Sequence, residues 1–165
     1  MNFLFAIALT AAGTAVGLYC SVRLKKRKQT LEQAVLLLDE IQIKIGYQAL
    51  PVCEILAGAA ESGSYGRLEF LNELSGISDD GNFHRKWEDG IKNSDGFSDE
   101  DKAILLALGN GLGGSNINGQ LSLLQTHRAL LERQLAAADD EYGRKGKMVR
   151  SVGALCGLAA GIAVL

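Results

Sequence analysis

Histidine is nearly missing from this chain. Only His84 and His127 occur, and with so few imidazoles a metal site is set aside. The three cysteines, Cys20, Cys53 and Cys156, stand far apart with no metal-ligand or redox spacing. No G-x-x-x-x-G-K-[ST] segment is present, which excludes nucleotide hydrolysis through a P-loop. No segment alternates apolar and polar residues with a period of two, so no strand is expected. Proline occurs once, at Pro51, and aromatic residues make up only 6%. A chain rich in Leu, Ala and Glu with a single helix breaker reads as all-α.

Charge is missing from both ends. Residues 1–22 carry no charged side chain, and neither do residues 151–165. Each uncharged run is bounded on its inner side by a basic cluster: Arg23, Lys25, Lys26, Arg27 and Lys28 after the first, Arg144, Lys145, Lys147 and Arg150 before the second. A helix of residues 1–22 reaches about 33 Å, enough for a bilayer core. Residues 151–165 reach about 22 Å, extended to about 27 Å if Met148 and Val149 join and the flanking cations snorkel. A tail lying in the interface is the alternative. Positive residues beside membrane segments stay in the cytoplasm, so residues 23–150 are expected there, with both termini outside. The charges follow the first apolar run instead of preceding it, which reads as an uncleaved anchor. Gly13 and Gly17 in the first span, and Gly153, Gly157 and Gly161 in the second, stack at four-residue spacing. They suit close packing of the spans on each other or on a second subunit of a homo-oligomer. Glycine is also common in membrane helices generally.

Between the ends the balance reverses. All nineteen acids and only eight basic residues fall in residues 29–143, a net charge of −11. Such a body repels phosphates and has no basic stripe, so nucleic acid is not an expected partner. A partner with basic patches suits it, with an acidic solvated surface as the plainer reading.

Helical periodicity marks about six helices. Leu31, Ala34, Leu38, Ile41 and Ile45 form a stripe over residues 29–47, and nothing between Val22 and Leu31 breaks a helix. A second helix is expected from Pro51 to about residue 61, and a shorter third over residues 66–74. Phe83, Trp87 and Ile91 mark a fourth. Ser98 followed by three acids reads as the cap of a fifth, which carries Ile104, Leu105, Leu108 and Leu112. A glycine-rich corner over residues 109–119 leads to the sixth, with Leu121, Leu124, Leu131, Leu135, Ala138 and Tyr142 on one face.

Each candidate motif has a plain explanation. Residues 109–114 match G-x-G-x-x-G, but a helix precedes them where a dinucleotide site needs a strand. Asp139, Asp140 and Glu141 point around a helix and face the basic cluster. Ser115, Ser122 and His127 lack an orienting group or a nucleophile elbow. Trp87 reads as a core anchor. No catalytic residue, cofactor or metal ligand is expected, and the chain is not read as an enzyme.

The order of features nevertheless has a counterpart. An uncharged span and basic cluster are followed by Ile45-Gly-Tyr47, then Pro51 and Glu54. Helix packing around Trp87 comes next, then Leu108-Gly109-x-x-Leu112-Gly113-x-Ser115 with Gln120 downstream. A basic segment and a glycine-bearing apolar tail end the chain. Over its whole length this resembles the stage III sporulation protein AB family of endospore-forming bacteria. The match is carried by Tyr47, Pro51, Glu54, Trp87, Leu108, Gly109, Gly113 and Ser115.

That resemblance implies a mother-cell membrane protein in a transport-like complex bridging mother cell and forespore. It also implies a cytoplasmic region similar to the six-helix domain of the type II secretion F platform protein. The implied partners are an ATPase of the stage III sporulation protein AA type, other membrane proteins of the complex and the lipid bilayer. Exposed acids such as Asp79, Asp80 and Asp99 are candidates for an ATPase-docking face. A membrane-anchored signalling or ligand-sensing helical module is the competing reading.

Overall fold

A computed structural model describes residues 2–48, 50–75 and 82–162, with side chains for residues 19–48, 50–75, 82–145 and 148. Among the described residues there are six helices and no strand: α1 (Asn2–Gln48), α2 (Val52–Glu61), α3 (Phe70–Glu73), α4 (Phe83–Asn93), α5 (Asp99–Gly111) and α6 (Ile117–Ile162). The all-α expectation holds. Among the described residues no helix is long and apolar enough to cross a membrane. Gly13, Gly17, Gly153, Gly157 and Gly161, and most of both expected spans, lie outside the described side chains.

The chain divides into two compact units, Gln29–Ala136 and the pairing of Met1–Lys28 with Ala137–Leu165. In the larger unit, the α1 stripe Leu31, Ala34, Leu38, Ile41 and Ile45 is buried, joined by Val35 and Leu37. Pro51 stands at the N-cap of α2, one position earlier than expected, and its carbonyl accepts from the Glu54 and Ile55 amides at 3.1 Å. Helix α3 is shorter than the periodicity predicts. Residues 64–67 are held as turns, and two bonds to α1 account for it. The Tyr65 hydroxyl donates to Glu40, and the Arg67 amide donates to Gln33 Oε1 at 2.9 Å. Backbone pinned across α1 in this way does not wind into its own helix.

Helix α5 begins as expected. Ser98 Oγ accepts from the Asp101 amide at 3.3 Å, and Asp101 Oδ2 accepts from the Ser98 amide at 2.9 Å, a reciprocal capping box. Helix α6 begins at Ile117, earlier than expected, because Asn116 Oδ1 accepts from the Gly119 amide at 2.9 Å and caps it.

Trp87, only 1% exposed, is the hub of α3, α4 and α5. Phe70 meets its ring edge-on at 5.1 Å, and Phe83 lies at 5.8 Å. Its indole nitrogen donates to the Leu105 carbonyl at 2.8 Å. Truncating such a residue costs about 3–5 kcal/mol.

In the smaller unit α1 and α6 run antiparallel. Lys28 pairs with Asp139 at 2.7 Å, Arg27 approaches Glu141 at 4.0 Å, and Ala138, the residue before Asp139, is fully buried.

Candidate functional site

Five of the eight positions that carry the family resemblance build one joint at the end of α5. Gly109 is buried against the Trp87 indole: a Cβ there would lie 2.3 Å from both Cδ1 and Nε1. Leu108 is fully buried beside it. His84 Nδ1 donates to the Gly109 carbonyl at 3.0 Å, near the C-terminal end of α5. Beyond that end, Gly113 takes φ 77°, the left-handed region that favours glycine.

A single buried side chain then closes the corner. Gln120 Nε2 donates to the Gly111 carbonyl at 3.1 Å and to Ser115 Oγ at 3.0 Å, while its Oε1 accepts from the Gly113 amide at 3.2 Å. Trp87, Leu108 and Gly109 are thus buried in the fold, and exposed Gly113 and Ser115 are tied to it through Gln120. Ser115 binds Gln120, and His127 Nδ1 donates to the Leu123 carbonyl of its own helix at 2.9 Å, so the two do not converge. No group of three metal-capable side chains occurs among the described residues.

Tyr47, Pro51 and Glu54 lie elsewhere, exposed at the junction of α1 and α2. Tyr47 is 89% exposed. It flanks an open groove of about 490 Å³ lined by Asp39, Gln42, Ile43, Gly46, Tyr47 and Leu121. Leu36 and Ile43, 58% and 59% exposed, continue the apolar surface along α1, and Ile117 adds to it from the start of α6. Asp39 and Arg128 brace the wall at 2.5 Å, and Arg128 also pairs with Glu132 at 2.8 Å. The hydrogen bond to Asp39 holds the guanidinium above its ordinary pKa. On the neighbouring face, Lys44 and then Tyr65 bond Glu40 and hold its carboxyl below the usual carboxylate range. Burial, then the bond to Glu40, pushes the Tyr65 phenol well up.

The groove was not foreseen. Its signal was present in Leu36, Ile43 and Tyr47, apolar or aromatic residues spaced seven and four apart and lying off the buried α1 stripe. Of the acidic candidates, Asp99 is exposed in the first turn of α5, next to exposed Glu100. Asp79 and Asp80 lie outside the described residues.

The family model for stage III sporulation protein AB matches residues 2–165. No curated protein and no solved structure gives a significant match. With essentially its whole length matched, the chain belongs to the stage III sporulation protein AB family, and its role lies in stage III of sporulation.

Proposed function

We propose that the protein is a membrane-anchored platform of a transport-like complex between mother cell and forespore, working by contact and not by catalysis. Residues 1–22 and 151–165 anchor it, and residues 23–150 form the cytoplasmic body, akin to the type II secretion F platform domain. The body docks a secretion-type ATPase, of the stage III sporulation protein AA kind, and neighbouring membrane proteins of the same complex. The observation that carries this reading is the exposed Tyr47 corner beside an unfilled apolar groove, on a body where Trp87, Leu108 and Gly109 are buried in the fold.

The two kinds of surface have different tasks. Apolar and aromatic side chains such as Ile43 and Tyr47 supply the affinity of a contact, because burying them removes apolar area from water. Acids such as Asp79, Asp80 and Asp99 steer a basic partner, raising the association rate more than the affinity. The test is binding of the ATPase to the detergent-solubilised full chain, followed kinetically. Tyr47→Ser should raise the dissociation rate about 30-fold, the loss of one interface anchor. Lysine at all three acids should slow association and flatten its salt dependence. Wild-type kinetics in both variants would refute the docking assignment.

A further inference from the structure

The ion pairs at the inner margins of the two uncharged runs point to a ligand. Helix α1 and helix α6 bring their basic clusters together in the smaller unit, through Lys28 with Asp139 and Arg27 with Glu141. That unit holds nine basic residues against three acids, a net +6, while Gln29–Ala136 carries −8. Two of the three acids are already engaged. Asp139 pairs with Lys28, and Glu141 bonds Lys145 at 2.6 Å as well as facing Arg27. The Lys145 bond, with the fields of Arg27 and Arg144, holds the Glu141 carboxyl low, so that these internal pairs persist at neutral pH.

Arg23, Lys25 and Arg144 are exposed, and make no hydrogen bond or ion pair among the described residues. We propose that these three cations form a binding site for the phosphodiester headgroups of anionic phospholipids, at the rim where α1 and α6 meet the bilayer. The proposal rests on the membrane-anchored reading above. Guanidinium groups grip a phosphodiester through two parallel hydrogen bonds, and an ammonium adds a point charge. Clusters of four to eight basic residues beside a membrane helix attract anionic lipid, at roughly fivefold per residue. The −8 charge of Gln29–Ala136 disfavours extended polyanions more than a single compact headgroup.

The test uses the full chain in nanodiscs of equimolar phosphatidylcholine and phosphatidylglycerol, with retained lipid counted by native mass spectrometry after gentle release. Wild type should retain phosphatidylglycerol in several-fold excess, and the excess should shrink with salt. The triple variant Arg23→Gln, Lys25→Gln, Arg144→Gln should retain the two lipids near equally. Six of the nine basic residues in the two clusters remain in that variant, which keeps the charge bias that orients the anchors. Equal retention by wild type, or an undiminished excess in the triple variant, would overturn the site. Displacement of phosphatidylglycerol by inorganic phosphate at matched ionic strength would also overturn it, marking a free-phosphate site. Alkaline carbonate extraction separates the two layers of the argument. If wild type is extracted from membranes the anchored reading fails and this site with it; if it resists extraction but shows no lipid preference, only the site fails.

Discussion

Gly109→Ala pits two effects of opposite sign against each other. Gly109 lies within α5, where alanine gains about 1 kcal/mol of helix propensity over glycine. Propensity alone therefore predicts a more stable protein. The packing predicts the reverse. The new Cβ would sit 2.3 Å from the Trp87 Cδ1 and Nε1, more than an ångström inside normal carbon contact of about 3.5–4.0 Å.

The indole cannot swing aside freely, with Phe70 at 5.1 Å and Phe83 at 5.8 Å. Relief must come from moving α5 away, which stretches the 2.8 Å bond from Trp87 to the Leu105 carbonyl. Overpacking costs about 1–3 kcal/mol, and the weakened hydrogen bond about 1 more. Set against the propensity gain, the net is a loss of about 1–3 kcal/mol. Near 4 °C per kcal/mol for a unit of this size, the melting temperature should fall by about 4–12 °C. Trp87 is the sole tryptophan, so its fluorescence reports the same site directly during thermal unfolding of the full chain. A melting temperature equal to or above wild type would show that the 109–87 contact yields without cost and would refute the packing argument.

The polar staples make further expectations. Gln120→Ala removes the three bonds that close the corner at Gly111, Gly113 and Ser115, and should cost about 1–3 kcal/mol in chemical denaturation. For Glu40→Gln the loss should be at most about 1 kcal/mol, since the pair is partly exposed. It should also depend on pH. The Glu40 carboxyl is held low in the folded protein, so its contribution is present above the unfolded carboxylate pKa and fades as pH falls through the folded one. Wild type and variant should therefore converge in stability in acid, and a gap unchanged below pH 4 would contradict the assignment.

Much of the fold is legible in local sequence because the signals are local. The α1 stripe, the Phe83–Trp87–Ile91 face and the Ser98 capping box each depend on residues three or four apart. What escaped depends on partners far away. Residues 64–67 look able to join a third helix until Tyr65 and Arg67 are seen bound to Glu40 and Gln33, 25 and 34 residues earlier. Arg128 finds Asp39 across a separation of 89 residues. Gln120 is visible in the family pattern, but its three corner bonds cannot be read without the backbone bend at Gly113. Helix α1 carries more apolar residues than one buried stripe needs. Periodicity finds the stripe but does not say that Leu36, Ile43 and Tyr47 face away from the core.

That surplus sets Tyr47 apart from the joint residues among the positions carrying the family resemblance. Trp87, Leu108, Gly109, Gly113 and Ser115 answer to one joint, where each substitution has a structural cost. Tyr47 has no such debt: at 89% exposure it contributes little burial. Pro51 ties the two sets together. Its ring disfavours helical backbone at Leu50, which precedes it, so α1 stops just past Tyr47 and α2 starts at Val52. The aromatic ring thus stands at the rim of the Ile43–Leu121 groove, one residue before the end of α1. A bulky side chain fixed in water at the mouth of an apolar groove gains nothing for the isolated chain. On the docking reading proposed above, its favourable free energy becomes available when a partner covers both ring and groove.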